Sequence, residues 1–251
     1  MKDFFAEFLK KTSYPFLSPS PQSQGAPQPP LEMPLPDNLT LIPLPAPETF
    51  SIPPADLRAI IEQRRTLRRY ADAPLSLEEL SYLLWLTQGV KRVTSRPATL
   101  RTVPSAGARH AFETFLLINR IQGLQPGLYR FAASQHALAH LPAPVDIAER
   151  IYTATHNQEH VRLSAVTFLW VADTWRMAWR YVERSMRYLF LDAGHVCQNL
   201  YLAAESIDCG VCAVGAFEDE AMNAALELDG VDRFVIYLAT VGRKEAAQSS
   251  A

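Results

Sequence analysis

The segment from Trp175 to Ser206 restricts the possible folds of this chain more than any other segment. It contains no proline, and Gly194 is its only glycine. Between Tyr188 and Ala204, apolar residues fall almost all round a helical wheel. Because a helix that is apolar on most faces is buried on most faces, the pattern predicts a central helix. That helix would lie inside the domain or in the interface of a dimer.

Shorter patterns alternate irregularly between helix and strand along the chain. Ser76 and Glu79 have the spacing of a capping box, which predicts the start of a helix that stops near Gly89. Further helices are predicted in 54–65 and 146–154, and strands in 112–119, 128–131, 164–172 and 233–241. This order, with no internal repeat, indicates an α+β or α/β domain.

The prolines divide the chain. Thirteen of the nineteen lie between Pro15 and Pro54, and such a segment cannot sustain a helix or a central strand. It is either a linker or tail, or an arm laid across a partner subunit, and its apolar residues in 31–44 favour docking over a free linker. We therefore predict a proline-rich arm (1–54), one domain (55–244) and a polar tail (245–251).

Composition excludes several function classes. Lys+Arg and Asp+Glu number 24 and 26, so no global basic field for nucleic acid is expected. No apolar run reaches the roughly 18 residues of a membrane span, and the N-terminus does not resemble a signal peptide. We expect a cytoplasmic protein with a small molecule or a protein surface as partner. The sequence also contains no Rossmann G-x-G-x-x-G, no P-loop and no G-x-S-x-G nucleophile motif.

Cysteines and histidines give weaker patterns. Cys209 and Cys212 have C-x-x-C spacing but no second pair for zinc, so a small apolar turn is the preferred interpretation. His156 and His160 lack the glutamate that follows the first histidine of a metalloprotease helix, and we expect them at a solvated helix end or loop. His195, within the apolar helix, is expected to be a core histidine. No metal site is predicted.

The sharpest local feature is RRTLRRY (64–70), with four arginines in six positions. Guanidinium groups offer planar donor forks that suit phosphate or carboxylate. On spacing alone, the cluster is either an anion-binding site or a solvated basic helix end. A second candidate is the loop 103–110, where small residues would let backbone amides approach a flat ligand.

These motifs resemble those of one family. RRTLRRY resembles the R-R-S-x-R-x-Y/F element of the nitroreductase superfamily, and PSAGARH (104–110) its second flavin-contacting loop. GLYRF (127–131), the segment 187–217 and KKTSYP (10–15) resemble the SagB/ThcOx-type branch of FMN-dependent dehydrogenases. The resemblance runs in order over almost the whole chain.

The resemblance implies an α+β, nitroreductase-like fold with a central antiparallel or mixed sheet flanked by helices. Its long buried central helix would lie in a homodimer interface with two FMN sites. The implied contacts to phosphate, ribityl chain and pyrimidine edge are Arg64, Arg65, Thr66 and Arg68. The implied contacts from the other subunit are Pro104, Ser105, Ala106, Gly107 and Ala108. Val214 and Gly215 match the amide that faces flavin N5, and Arg243 matches a C-terminal phosphate contact.

The implied activity is hydride transfer through bound FMN, from a donor such as NAD(P)H or an organic substrate to an acceptor. One alternative is an azoline dehydrogenase acting on ribosomal peptides, in which a Lys-Tyr pair is tied to aromatisation. Here the pair is Arg180 and Tyr181. Because arginine keeps its proton at any useful pH, we rank a general reductase or dehydrogenase first. A second alternative is a non-catalytic scaffold with the same fold.

Overall fold

The computed structural model describes residues 1–36 and 38–245, so the predicted tail beyond Glu245 lies outside the described residues. The helices in this part are α1 (Lys2–Lys11), α2 (Leu57–Gln63), α3 (Leu77–Gln88), α4 (Ile147–Ala154), α5 (Glu159–Leu163), α6 (Thr174–Tyr181), α7 (Ser185–Glu205) and α8 (Asp219–Ala225). No helix in this part is long and apolar enough to cross a membrane.

The strands are β1 (Leu41–Pro43), β2 (Val90–Val93), β3 (Thr99–Arg101), β4 (Phe112–Ile118), β5 (Gly127–Ala132), β6 (Ala137–His140), β7 (Val166–Asp173), β8 (Cys209–Val214) and β9 (Arg233–Arg243). Seven of them form one sheet in the order β1-β6-β5-β4-β7-β9-β8, and β2 pairs with β3 separately. Every pairing in the large sheet is antiparallel. The fold is therefore α+β, as predicted.

Helices cover both faces of the sheet. All seven residues of β4 and the first seven of β7 are buried, and alternate side chains of a strand point to opposite faces. Leu116 and Phe168 pack in a core with residues of α3 and α7, whereas Leu117 and Leu169 pack with residues of α4, α5 and α8. Burial on both faces explains why these strands are nearly continuous apolar runs.

The local signals placed most elements correctly. Ser76 accepts a hydrogen bond from the Glu79 amide (3.1 Å), and Glu79 accepts one from the Ser76 amide (2.8 Å), so the capping box is confirmed. The long helix predicted across Tyr188–Ala204 is confirmed as α7, and the residues that precede it in the same proline-free segment form the separate helix α6. The chain breaks at Val182, whose φ of 42° and ψ of −126° are not helical. Glu183 beside the break accepts hydrogen bonds from the amide and hydroxyl of Ser18.

Helix α7 is only partly covered within one chain. Nine of its residues are buried, but Phe190 and Leu191 are 56% and 58% exposed. His195 on the same helix is 51% exposed, so the expectation of a core histidine is wrong for the single chain. The helical wheel identified an apolar helix but could not tell which face a second chain or solvent would cover.

The proline-rich segment docks onto the domain. Its strand β1 pairs with β6 at one edge of the sheet, and Leu44 is buried. Glu32 accepts hydrogen bonds from the amides of Ala133 (2.5 Å) and Ser134 (3.1 Å). The apolar residues of 31–44 therefore predicted docking correctly.

A buried charge network ties this segment to the core. Glu113 on β4, 2% exposed, accepts hydrogen bonds from Arg176 (2.6 Å) and from the amide of Met33 (2.7 Å). Arg130, also 2% exposed, donates to the Met33 carbonyl (2.7 Å). Arg176 also donates to the carbonyl of His110 (3.1 Å). One carboxylate thus connects β4, α6 and the N-terminal segment.

We predict that Glu113→Gln strongly destabilises the protein. Loss of the charge leaves the buried guanidinium of Arg176 with the more distant Asp173 (3.3 Å) as its remaining carboxylate partner, and removing one partner of a buried ion pair typically costs about 3–5 kcal/mol. The measurement is the free energy of unfolding from urea titration. Glu149→Gln is the matched control, since Glu149 pairs with Arg162 at the surface and should lose less than about 1 kcal/mol. Equal small losses in both variants would contradict the assignment.

Candidate functional site

The arginine segment 64–70 is held by two apolar anchors on a pair of glycines. Gly210 and Gly242 face each other across β8 and β9. A Cβ atom on Gly210 would lie 2.4 Å from Leu67 Cδ1, and one on Gly242 would lie 2.5 Å from Tyr70 Cγ. Only glycine therefore lets these side chains lie flat on the two strands. The anchors Leu67 and Tyr70 are three residues apart, with Arg64 and Arg65 before them and Arg68 and Arg69 between them.

Hydrogen bonds fix the same segment. The Leu67 amide donates to the Val211 carbonyl (2.9 Å), and the Tyr70 hydroxyl donates to the Leu67 carbonyl (2.8 Å). That hydroxyl also lies 2.8 Å from the hydroxyl of Thr240. Burial raises the pKa of the Tyr70 phenol, so it stays a hydrogen-bond donor at neutral pH. The segment is thus a fixed edge along β8.

Tyr201 of α7 contacts the arginine segment, and no sequence motif identified it as a site residue. Its hydroxyl accepts a hydrogen bond from the Ala213 amide (3.0 Å) and lies 3.1 Å from the hydroxyl of Thr66. The guanidinium of Arg64 lies 5.2 Å from the centre of its ring. Tyr201 therefore joins the predicted Thr66 and Arg64 to the end of β8.

The predicted arginines of this segment form no ion pair within residues 1–36 and 38–245. Arg65, Thr66 and Arg68 are exposed and Arg64 is half-buried. His160, expected at a solvated helix end or loop, is instead buried on α5. Burial lowers the pKa of His160, and the positive charge of Arg68 lowers it further. The segment is a cationic edge that is not neutralised by the chain's own carboxylates.

Strand β8 links this edge to the predicted N5 contact. Thr66 forms a bridge with Val211, and the strand then runs to Val214, which is buried, and to the exposed Gly215. Four residues of extended chain span roughly 13 Å. The arginine segment therefore lies beside one end of this stretch of β8 and Gly215 lies at the other, and an elongated ligand could contact both.

The loop 104–108 is held by a buried carboxylate. Asp192 on α7, 4% exposed, accepts hydrogen bonds from the Ser105 hydroxyl (2.6 Å) and the Ala106 amide (3.2 Å). The Ser105 oxygen in turn accepts from the His110 amide (2.9 Å). Burial raises the pKa of Asp192, and these hydrogen bonds oppose the shift. Pro104 and Gly107 are exposed at the outer side of the loop.

The same loop lies against the two predicted catalytic residues. Gly107 and Ala108 have positive φ values of 56° and 52°. A Cβ on Gly107 would lie 2.4 Å from the Tyr181 hydroxyl and 3.3 Å from Arg180 Cδ. Glycine is thus needed for both conformation and space. The structure brings Arg180 and Tyr181 to the loop that the sequence predicted as a flavin contact.

The two parts of the predicted site are separated within one chain. Asp192 holds the loop and Tyr201 holds the arginine segment, and both lie on α7. Nine residues of helix correspond to roughly 14 Å along its axis. Asp192 could have been noticed from sequence as the acidic residue in an apolar helix, whereas Tyr201 resembles any other core position.

Arg243 is already engaged. Its guanidinium pairs with Glu79 (2.6 Å) and donates to the carbonyl of Ile207 (2.8 Å). If Arg243 also bound a phosphate, its guanidinium would have to contact the phosphate and Glu79 at the same time. The phosphate contact stays a prediction.

The C-x-x-C segment is a strand and not the expected turn. Cys209 and Cys212 lie in β8, where both are buried and free. Burial raises the pKa of the Cys209 thiol to about 12, so it is protonated and unreactive at neutral pH. The turn interpretation failed because Gly210 serves as a packing surface for Leu67 and does not bend the chain.

Comparison with known proteins gives the family. The model of the nitroreductase family matches residues 61–243, which include both the arginine segment and the loop 104–108. The chain belongs to the nitroreductase family. A protein of Methanocaldococcus jannaschii that is named as a nitroreductase is 29% identical over 188 residues, or 75% of this chain and 91% of that protein.

A more distant relative is the trifolitoxin-processing protein of Rhizobium leguminosarum bv. trifolii. It is 25% identical over 158 residues, which are 60% of this chain but only 41% of that protein.

Solved structures share the nitroreductase fold. One from Ralstonia eutropha, named as a nitroreductase, has a TM-score of 0.68 and 25% identity, covering 88% of this chain and 99% of that one. A structure from Desulfovibrio desulfuricans, named as a nitroreductase in complex with FMN, has a TM-score of 0.53 and 18% identity, covering 79% and 92%.

We predict that Asp192→Asn is at least as stable as the wild type at pH 7, whereas Asp192→Ala is less stable by about 1–3 kcal/mol. Asparagine keeps an acceptor for Ser105 and Ala106 but carries no charge to bury. Because the folded-state pKa of Asp192 is raised, the folded state binds the proton more tightly. Its ionisation therefore lowers stability as pH rises from 3.8 through the folded-state pKa.

Urea unfolding at pH 7 and at lower pH measures both effects. An asparagine variant as unstable as the alanine variant would contradict the role of Asp192 as a hydrogen-bond acceptor.

Proposed function

We propose that this nitroreductase-family protein is an FMN-dependent oxidoreductase that moves hydride between a donor, such as NAD(P)H or an organic substrate, and an acceptor. The observation that carries the proposal is the unpaired cationic edge 64–69, fixed beside β8 by Leu67 and Tyr70. Guanidinium groups and the Thr66 hydroxyl suit a phosphate and a polyol chain. A named FMN complex among the fold relatives supports the choice of flavin.

The chain's own residues fit this cofactor. Arg64, Arg65 and Thr66 would hold its phosphate and ribityl chain, and Arg68 would bring positive charge to the pyrimidine edge. The backbone amide at Gly215, exposed after β8, would face the ring. FMN, when bound, supplies the two-electron chemistry, and the protein binds it, orients it and shields it from water.

The proposed active form is a homodimer. Exposed apolar side chains occur on α7 and on α2, which contacts it: Leu57 and Ile61 are 62% and 52% exposed, and Phe190 and Leu191 are similarly open. Apolar residues grouped on neighbouring elements mark an association surface. In such a dimer the loop 104–108 of one subunit would complete the cofactor site of the other, across the separation along α7.

A second candidate, azoline oxidation in a SagB-type enzyme, is supported by the trifolitoxin-processing relative and by the position of Tyr181 against Gly107. An arginine is a poor general base, so this candidate ranks second.

Three experimental outcomes separate the candidates. Bleaching of the yellow protein by NAD(P)H supports the reductase. Loss of two hydrogens from a thiazoline peptide, measured by mass spectrometry, supports the oxidase, and a colourless protein supports a scaffold.

We predict that Arg64→Ala and Arg68→Ala each weaken FMN binding roughly 10- to 100-fold, the value of one charge-assisted hydrogen bond. Flavin titration of the apoprotein measures this affinity. Arg58→Ala is the matched control, because Arg58 lies on the adjacent helix α2 and already pairs with Glu62. Wild-type affinity in both test variants would refute the cofactor site.

We predict a dimer of twice 28.1 kDa that Leu191→Arg converts to a monomer with weakened FMN binding. A buried, unpaired arginine in the interface is unfavourable. The control is Val145→Arg, since Val145 lies just before the start of α4 and is fully exposed. Light scattering with flavin absorbance is the measurement. A stable wild-type monomer with full FMN content would overturn the shared site.

A further inference from the structure

Arg109 is a buried cation that forms no ion pair among residues 1–36 and 38–245. The residue follows the Gly107 turn and is 4% exposed. Within the described part of the chain, its Nε and Nη1 atoms are buried and form no hydrogen bond. Its guanidinium lies 5.2 Å from the centre of the Trp179 ring. Burying an unpaired charge is costly, so this arrangement needs an explanation.

Arg176 shows how the same region pairs a structural arginine with carboxylates, although its Nε atom also has no hydrogen-bond partner in the described part of the chain. It is 1% exposed, and it pairs with Glu113 (2.6 Å) and Asp173 (3.3 Å) and donates to the His110 carbonyl (3.1 Å). Arg109 is almost as deeply buried but has none of these contacts. The difference indicates that Arg109 is not retained as a structural ion pair within the chain.

The surroundings of Arg109 are cationic. Burial lowers the pKa of Arg109, and the positive charges of Arg180, Arg96 and Arg176 lower it further. Among residues 1–36 and 38–245, neither Arg109, Arg180 nor Arg96 forms an ion pair. The Tyr181 phenol opposes this shift. Of these four arginines, only Arg176 has carboxylate partners among the described residues.

We propose that Arg109 and Arg180, beside the Gly107 turn, form a binding site for the carboxylate or phosphate group of an anionic substrate. Arg180, on α6, has its Cδ close to Gly107, and Arg109 follows Gly107 by two residues, so both arginines lie beside the same turn. A guanidinium can bind either oxyanion through two parallel hydrogen bonds. Its relevance to catalysis rests on the proposed function, because the Gly107 loop is the predicted contact of the partner's flavin.

Calorimetric titration of the FMN-loaded protein tests the site, with benzoate in one arm and inorganic phosphate in the other. We expect saturable binding in at least one arm, and the arm that binds identifies the oxyanion. Arg109→Gln should weaken this binding at least about 10-fold, the value of a charge-assisted contact. Arg150→Gln is the matched control, since it removes a surface arginine that pairs with Asp146.

FMN affinity, measured on the same variants, separates this proposal from the proposed function. Unchanged FMN affinity with lost anion binding supports the site. A large loss of FMN affinity in Arg109→Gln would assign Arg109 to the cofactor and overturn the substrate site. Anion binding that is absent in the wild type, or equally strong in Arg109→Gln, would also overturn it.

Thermal unfolding distinguishes this role from a structural one. Removal of an unpaired buried charge should leave the Tm of ligand-free Arg109→Gln unchanged or raise it, whereas the anion that binds should raise the Tm of the wild type only. A marked fall in Tm together with unchanged anion binding would show that Arg109 is structural.

Discussion

The carboxylate of Glu113 holds together parts of the chain that are far apart in sequence. It lies on the central strand β4 and receives Arg176 from α6 and the amide of Met33 from the proline-rich segment. Because Arg176 also binds the carbonyl of His110, the end of the Gly107 loop is fixed through the same pair. The position of this loop therefore depends on the buried ion pair between Glu113 of β4 and Arg176 of α6.

The cationic character of this protein is local. Its formal net charge is −2, yet arginines that form no ion pair within the described part of the chain lie close together at two places, the segment 64–69 and the surroundings of Arg109. The average charge predicts no global basic field but could not show these local concentrations of arginine. At both places the fold supplies close backbone approach through glycines, Gly210 and Gly242 at one and Gly107 at the other. Charge and flatness together are what an anionic, planar ligand requires.

The features that could be predicted from the sequence are those set by interactions between residues close together in the chain. The capping box at Ser76, the apolar strands and the arginine cluster all depend on neighbours within a few residues. The errors arose where distant contacts decide. Cys209 lies in a strand because Gly210 packs against Leu67, and His195 lies on an exposed face of a helix that is apolar almost all round. The hydroxyl of Tyr201, which reaches Thr66 across the fold, could not be distinguished from a core side chain by periodicity.

Because α7 supports both halves of the proposed site, mutations on the two chains of a dimer would affect its two sites differently. It supports the loop through Asp192 and the arginine segment through Tyr201, about 14 Å apart on one rigid element. Each site in the proposed dimer would then take one support from each of two α7 helices. Consider a dimer of one chain mutated at Asp192 and one chain mutated at Tyr201. One of its two sites would carry both mutations and the other would carry neither, so the mixed dimer would keep one intact site.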